Sequence, residues 1–247
     1  MVKLGLIGYP LGHSFSRAYF NEKFRNEHLH DIAYENYPAD DPEQILSLLR
    51  SDITGFNITI PYKTRILNYL NLIDTTALTI GAVNTIVRIG QYSWKGFNTD
   101  WIAFKRSLQN WYGDEPWPDR ALVLGSGGAA KAIMYALSDL GIAYSTVSRQ
   151  GNGDYLYEGV TKELIRQHHL VINATPIGML PEADRAPAIP YEGLTEKHRL
   201  FDLVYNPPNT LFLAHGKQQG AHTMNGLSML HLQAEHAWLI WKTYGKF

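Results

Sequence analysis

The chain has 247 residues, 45% of them hydrophobic and 18% charged, with 22 lysines and arginines against 23 acids. That balance excludes a disordered chain, and the near-zero net charge with scattered basic residues gives no general attraction to nucleic acid or an anionic membrane surface. No cysteine is present, which removes disulfides, thiolate catalysis and cysteine-ligated zinc together.

The ten histidines show no H-x-x-x-H or H-E-x-x-H spacing. The adjacent His168 and His169 are poorly placed to converge on one ion, so no metal site is expected. The opening stretch, residues 1–8, is too short for a signal peptide. No apolar run approaches the roughly 20 residues that span a bilayer, so a cytoplasmic protein is expected.

Short strand and helix patterns alternate through the first hundred residues. Lys3 to Ile7 predicts a strand, and Ser16 to Leu29 a helix with Tyr19, Phe20 and Phe24 at helical spacing. Tyr34 to Tyr37 predicts a strand, Pro42 to Arg50 a helix with proline in its first turn, and Gly55 to Ile60 a strand. Tyr62 to Leu70 predicts a helix and Ala82 to Arg88 a strand. This alternation implies an α/β layer structure with a mainly parallel sheet.

A helix follows from Trp101 to about Trp111, then a polar, proline-rich loop over 112–119. A second α/β unit is predicted beyond it. Its strand at 121–125 is followed by a helix from about Gly128 to Leu140, strands at 144–148, 170–174 and 200–204, and a short strand at 221–223. In outline this is a doubly wound sheet of Rossmann type. Leu227 to Tyr244 closes the chain as a long apolar helix. The expected division is 1–100 with 225–247 for an N-terminal α/β substrate domain, and 101–224 for the dinucleotide-binding domain.

Gly125-Ser126-Gly127-Gly128-Ala129-Ala130 fits G-x-G-x-x-[GA] between a strand and a helix. In that setting the first glycine makes the tight turn and the second lets the backbone approach a pyrophosphate. The helix N-terminus then offers free N–H groups to the phosphates. The next strand ends in Ser148-Arg149, where an NAD-binding unit carries an acid. An arginine can pair with a 2′-phosphate, which favours NADP; read from the residues alone, the lesser alternative is that Arg149 is a solvated surface residue.

Polar residues interrupt the first domain's apolar strands. Ser14 and Ser16 follow the first strand, and either can simply cap the next helix. Asn57 and Thr59 lie on one strand that ends at Pro61, with Lys63 just beyond. A cation at a helix N-terminus opposes the macrodipole, so Lys63 is either solvated or held for another purpose. Asn84, Thr85, Asn98, Thr99 and Asp100 add amides, hydroxyls and a carboxylate, although Asp100 also suits a helix N-cap. Burying so many unpaired groups is costly, so they are expected to face a cleft or a polar ligand.

Together these segments resemble the shikimate dehydrogenase family over almost the whole chain. The resemblance rests on residues 8–16, 57–63, 81–85, 98–100, 125–129, 173–179, 202–205 and 225–233, in family order. It implies reversible NADPH-dependent reduction of 3-dehydroshikimate to shikimate, in aromatic amino-acid and chorismate biosynthesis, with a quinate/shikimate dehydrogenase as the alternative. Lys63 and Asp100 are then the catalytic pair. Ser14, Ser16, Thr59, Asn84, Tyr205 and Gln233 lie on the substrate, in a cleft between domains. Gly125, Ser126, Gly127, Gly128, Ala129, Ser148, Arg149, Thr175 and Met224 lie on NADP.

The final helix is expected to pack back on the first domain, and the protein to be a monomer or homodimer. Ser16 resembles the serine of shikimate-preferring members, where quinate enzymes often carry threonine. The segment Ser148-Arg149-Gln150-Gly151-Asn152-Gly153 departs from the family, which has Asn-Arg-Thr and a further arginine there. That departure implies a truncated following helix and a less strongly held adenosine phosphate, leaving NAD open as a cofactor.

Overall fold

A computed structural model describes residues 1–11 and 15–245. The chain divides into two compact units, one of Met1–Thr99 with the segment from Ala234 onward, the other Asp100–Gln233. The second boundary falls inside the last helix rather than before it.

In the first unit β1 (Val2–Gly8), α1 (Phe15–Asn26), β2 (Ile32–Pro38), α2 (Pro42–Arg50) and β3 (Gly55–Ile58) come first. A 3-10 turn (Arg65–Tyr69), β4 (Leu72–Ile73), α3 (Thr75–Ile80), β5 (Thr85–Arg88) and β6 (Trp94–Phe97) complete it. The sheet order is β2-β1-β3-β5-β6-β4. β1 runs parallel to β2 and β3, and β4 to β6, but β5 is antiparallel to both β3 and β6. The sequence pattern missed β6, and with it this reversal. Only five residues join β5 to β6, a connection too short for a parallel crossover.

α2 begins as its sequence dictates. Asp41 accepts hydrogen bonds from the Glu43 and Gln44 amides at 2.7 and 2.9 Å, and Pro42 occupies the first turn, where its missing N–H costs nothing. The sheet buries both faces. Ile7, Phe56, Ile58, Ile86 and Trp94 pack with Ile45, Leu49 and Ile66. Leu4, Leu6, Val87 and Phe97 pack with Phe20 and Phe24 of α1. Onto that second face comes the end of α8 (Leu227–Tyr244), through Ala234, Ala237, Trp238 and Trp241. The Trp241 indole N–H donates to the Ile86 carbonyl at 3.0 Å, so this large ring buries without an orphaned donor.

The second unit holds α4 (Asp100–Tyr112), β7 (Arg120–Leu124), α5 (Gly128–Asp139), β8 (Ala143–Val147), α6 (Lys162–Arg166), β9 (Leu170–Asn173), β10 (Arg199–Asp202), α7 (Leu211–Gln218), β11 (His222–Asn225) and the first turns of α8. Its strands are all parallel, in the order β11-β10-β9-β7-β8. Alternate residues serve opposite faces, as the pleat requires. Ala121, Val123, Leu170, Ile172 and Phe201 meet α4 and α5, while Leu122, Leu124, Val171 and Leu200 meet α6 and α7. α6 has only five residues, so the crossover after Ser148-Arg149 is abbreviated. Strand order reverses direction between β7 and β9, and open α/β sheets bind ligands outside the carboxyl ends at that point.

Candidate active site

Within the first unit the polar residues form one hydrogen-bonded chain. The Tyr34 hydroxyl donates to Asn57 Oδ1 at 2.8 Å, and Asn57 Nδ2 donates to Thr85 Oγ1 at 3.1 Å. Thr85 Oγ1 donates to Asn84 Oδ1 at 3.2 Å. Asn84 Nδ2 donates to Thr99 Oγ1 at 2.9 Å, while its Oδ1 accepts from the Thr99 amide at 2.7 Å. Asn98 Nδ2 donates to the Ala82 carbonyl at 3.0 Å.

Asn57, Asn84, Thr85, Asn98 and Thr99 are all buried. Strands β3, β5 and β6 bring complementary donors and acceptors together, and buried polar groups that find one another offset much of the cost of their burial. Ser16, half-buried, reaches the Tyr34 hydroxyl, and burial pushes that phenol well above its ordinary range. Ser14 lies outside the described residues.

Thr59 leaves β3 half-buried, its amide donating to the Ile7 carbonyl at 2.9 Å and its carbonyl accepting from the Tyr62 amide at 2.8 Å. Lys63 comes next, half-buried, in a turn ahead of the 3-10 segment. It does not open an α-helix as its sequence context predicts. Its carbonyl accepts from the Val83 amide at 2.7 Å, so that acceptor is spent on the segment leading into β5. Lys63 is thus fastened by its backbone beside Val83-Asn84, and Asn84 is fastened to Thr99. Asp100, buried, begins α4 one residue further on.

In the second unit Gly125 follows β7 with φ +119°, a conformation that L side chains rarely adopt. A Cβ there would lie 3.1 Å from Thr175 Cγ2 and 3.2 Å from the Ala174 carbonyl oxygen. The Gly125 amide donates to Val147 at 2.8 Å, and Ala174 donates to Leu124 at 2.9 Å. This loop therefore sits on the exits of both neighbouring strands.

Gly127 caps α5 with no side-chain bond, and a Cβ on it would meet nothing within 4 Å. The helix's first N–H groups and the loop backbone thus lie open to a phosphate. Ser126, Gly128 and Ala129 line the same turn, and Ala130 is fully buried where helix meets strand. At the exit of β8 the Ser148 side chain is buried, and its Oγ has no partner among the described residues. Arg149 beside it is exposed. Asp154 further on is occupied by the Thr146 amide and hydroxyl, at 2.7 and 2.9 Å. An open loop, an uncapped helix and an orphaned hydroxyl beside a guanidinium fit a phosphorylated dinucleotide.

Tyr205 and Met224 are half-buried at the exit of β10 and within β11, and burial raises the Tyr205 hydroxyl. Gln233 is buried on α8, with Nε2 donating to the Leu230 carbonyl at 3.0 Å. Asn225 holds the start of α8, its Oδ1 accepting from the Leu227 amide at 3.1 Å.

One group in the segment 202–205 carries no role in the reading of the sequence. Asp202, at the exit of β10, is fully buried, and desolvation pushes its carboxyl up to about 6. The signal was present as an acid ending the apolar run Leu200-Phe201. Among the described residues no group of three or more acids and histidines is placed to hold a metal ion. Nor is any helix long and apolar enough to cross a membrane.

Residues 6–86 match the model of the shikimate dehydrogenase substrate binding domain. The chain is 34% identical to a shikimate dehydrogenase (NADP(+)) of Desulforamulus reducens, over 96% of this chain and 88% of that one. Among solved structures it resembles the Thermus thermophilus shikimate 5-dehydrogenase in complex with NADP(H) and shikimate. That TM-score is 0.85 at 30% identity, covering 98% of this chain and 94% of the other. The quinate dehydrogenase of Corynebacterium glutamicum in complex with NAD gives a TM-score of 0.84 at 26% identity, again over 98% and 94%.

Proposed function

This chain belongs to the shikimate dehydrogenase family, and from that premise we propose that it catalyses the reversible, NADP-dependent interconversion of 3-dehydroshikimate and shikimate. The observation that carries the reading is that one chain holds both an open dinucleotide loop, Gly125 to Gly128, in its second unit and a lysine fastened beside Asn84 in its first.

When bound, the nicotinamide supplies the hydride to the ketone carbon. The chain's own residues manage the charge and the proton. As the carbonyl oxygen becomes negative, the Lys63 ammonium stabilises it and delivers a proton. Asp100 orients that ammonium and accepts a bond from a substrate hydroxyl. The hydrogen-bond chain through Asn84 and Thr99 supports this pairing. It ties the backbone beside Lys63 to the residue preceding Asp100, and consecutive Cα atoms are only about 3.8 Å apart. Ser14, Ser16, Thr59, Asn84, Tyr205 and Gln233 would hold the substrate's hydroxyls and carboxylate. Gly125, Ser126, Gly127, Gly128 and Ala129 would cradle the pyrophosphate, with Thr175 and Met224 near the same dinucleotide.

Specificity for the 2′-phosphate rests on Ser148 Oγ and Arg149. One guanidinium and one hydroxyl give a modest preference for NADP over NAD. Ser16 supports shikimate over quinate. Steady-state turnover of shikimate and quinate with each cofactor tests the whole reading: efficient oxidation of shikimate with NADP is expected, and turnover confined to quinate with NAD would replace it. Lys63→Ala should lower kcat by orders of magnitude with little change in shikimate affinity. A near-normal kcat would remove Lys63 from its role.

A further inference from the structure

The second unit contains a buried acid that the proposed chemistry does not use. Asp202 Oδ1 accepts from Asn173 Nδ2 at 2.9 Å and from the Val204 amide at 3.0 Å; its Oδ2 accepts from Thr210 Oγ1 at 2.5 Å. Each donor belongs to a different feature. Asn173 ends β9, Val204 begins the segment leaving β10, and Thr210 caps α7.

Asn173 passes the constraint on. Its Oδ1 accepts from the Thr175 amide at 3.1 Å and from Thr175 Oγ1 at 2.6 Å. Thr175 Oγ1 in turn accepts from the Ile177 amide at 3.2 Å. Thr175 Cγ2 and the Ala174 carbonyl form the surface against which Gly125 lies, too close for any side chain at Gly125 to be admitted without displacement.

A buried carboxylate held by three neutral donors is a costly choice for mere packing. Desolvation works against its charge, and an apolar side chain of similar size would avoid that cost. Its distinctive property is geometric, since one rigid planar group fixes two strand exits and a helix start at once. A neutral side chain with fewer acceptor sites cannot hold all three.

We propose that Asp202 is a positioning residue for the dinucleotide loop, acting through Asn173 and Thr175 to set the surface on which Gly125 and the turn to α5 rest. The proposal rests on reading that loop as the dinucleotide site. Removing the carboxylate leaves Asn173 Nδ2 with the Ile177 carbonyl alone, at 3.1 Å, so Asn173 and the Thr175 it holds are less firmly set and the loop's support weakens. The loss should appear as weaker dinucleotide binding, while hydride transfer at saturation continues.

The test measures NADPH binding by fluorescence titration, and steady-state kinetics, on the full chain. Wild type is compared with Asp202→Ala, Asp202→Asn and Thr175→Val. Asp202→Ala should raise the NADPH Kd and the KM for NADP roughly tenfold, equivalent to about 1.4 kcal/mol. The kcat at saturating NADP should stay within a few-fold, and the KM for shikimate should not move. Asp202→Asn keeps an acceptor for Asn173 and should recover most of the affinity.

Thr175→Val leaves the three donors to Asp202 in place; it removes the Oγ1 bonds to Asn173 and the Ile177 amide and keeps the amide bond to Asn173. It should weaken NADPH binding in the same direction, and adding it to Asp202→Ala should weaken binding no further; additive losses would mark a direct Thr175 contact and overturn the proposal. Thr210→Val, which removes one donor to Asp202 away from the proposed dinucleotide contacts, should also weaken binding and keeps the question decidable if Asp202→Ala does not fold. An unchanged Kd in Thr175→Val, or a fall in kcat with Kd unchanged in either variant, would overturn the proposal. Wild type that binds no NADPH would overturn the dinucleotide reading as well. Wild type that binds, with unaffected variants, sinks only the role of Asp202.

Discussion

The two ends of the five-stranded sheet are built from the same strands yet handle buried polarity in opposite ways. At the amino end His168 and His198 are buried and fully engaged. His168 Nδ1 lies 2.7 Å from the Leu164 carbonyl and Nε2 lies 3.2 Å from Ser145 Oγ. His198 Nε2 lies 3.1 Å from the Ile165 carbonyl, and its Nδ1 accepts from the Thr195 amide at 3.0 Å. Arg199 stacks over Tyr112 at 4.2 Å and donates to the Trp111 carbonyl at 3.1 Å.

At the carboxyl end Gly125 adopts a conformation closed to side chains, Ser148 Oγ is buried without a partner among the described residues, and Asp202 is ionisable against its surroundings. One end is closed on itself; the other holds a hydroxyl without a partner among the described residues and a glycine in a conformation closed to side chains. Parallel strands point all their exits, and the helix N-termini that follow, to one side.

Exchanging glycines tests this contrast most sharply. Gly125→Ala meets both a forbidden φ and the Thr175 surface. It should cost about 1–3 kcal/mol in strain and weaken NADPH binding roughly tenfold or more. Gly141, in the turn before β8, also has positive φ (+74°), but a Cβ there would meet nothing within 4 Å. Gly141→Ala should cost about 1–2 kcal/mol and leave NADPH affinity unaltered. Chemical denaturation with NADPH titration reads both, and equal effects on binding would erase the distinction between the ends.

Arg199→Ala probes the closed end at intermediate size. It removes the stack on Tyr112 and the bond to Trp111, for about 2–3 kcal/mol. The Glu115 ion pair at 2.6 Å adds little, because that carboxylate is exposed. Stability should fall without change in KM for either substrate. A raised KM for NADP would show that the amino end is coupled to the site.

The carboxyl end was largely legible beforehand because its chemistry is local. A glycine loop between strand and helix, and an arginine where an acid would otherwise stand, are features of adjacent residues. Asp202 was not legible as a hub, because its partners Asn173 and Thr210 come from other segments and only the fold joins them. The network of the first unit was not legible for the same reason. Asn57, Asn84 and Thr99 read as candidates for a ligand since their mutual bonds span 15 to 28 positions of sequence. The strand β6 went unread because Trp94-Lys95-Gly96-Phe97 is short and carries a glycine. That glycine is there because a Cβ would lie 2.4 Å from a Leu70 methyl. Helices α2 and α8 were read with their ends correct, since a proline with a preceding aspartate, and an Asn-Gly turn, mark their starts within three residues.

The smallest expected effect separates the two ends by pH. Burial holds the His168 and His198 imidazoles below their ordinary 6.5, with the His169 charge, and for His168 also Arg120, acting in the same direction. The folded protein therefore binds fewer protons at these rings than the unfolded chain does just below 6.5. Their stabilisation is complete above that value and is lost as pH falls through it toward their folded values, by at most about 1.4 kcal/mol per pH unit for each ring. Asp202 has the opposite sign. Its carboxyl is raised from 3.8 to about 6, so the folded protein binds more protons between those values and gains stability as pH falls through 6 toward 3.8.

The ends therefore oppose each other over roughly pH 4 to 6. His168→Asn keeps a donor toward Leu164 but cannot titrate, and should flatten the acid loss of Tm. Asp202→Asn removes the opposing gain and should steepen it. Melting curves from pH 4.5 to 7.5 decide the matter. If both variants shift the slope in the same direction, the opposed titration of the two ends is wrong.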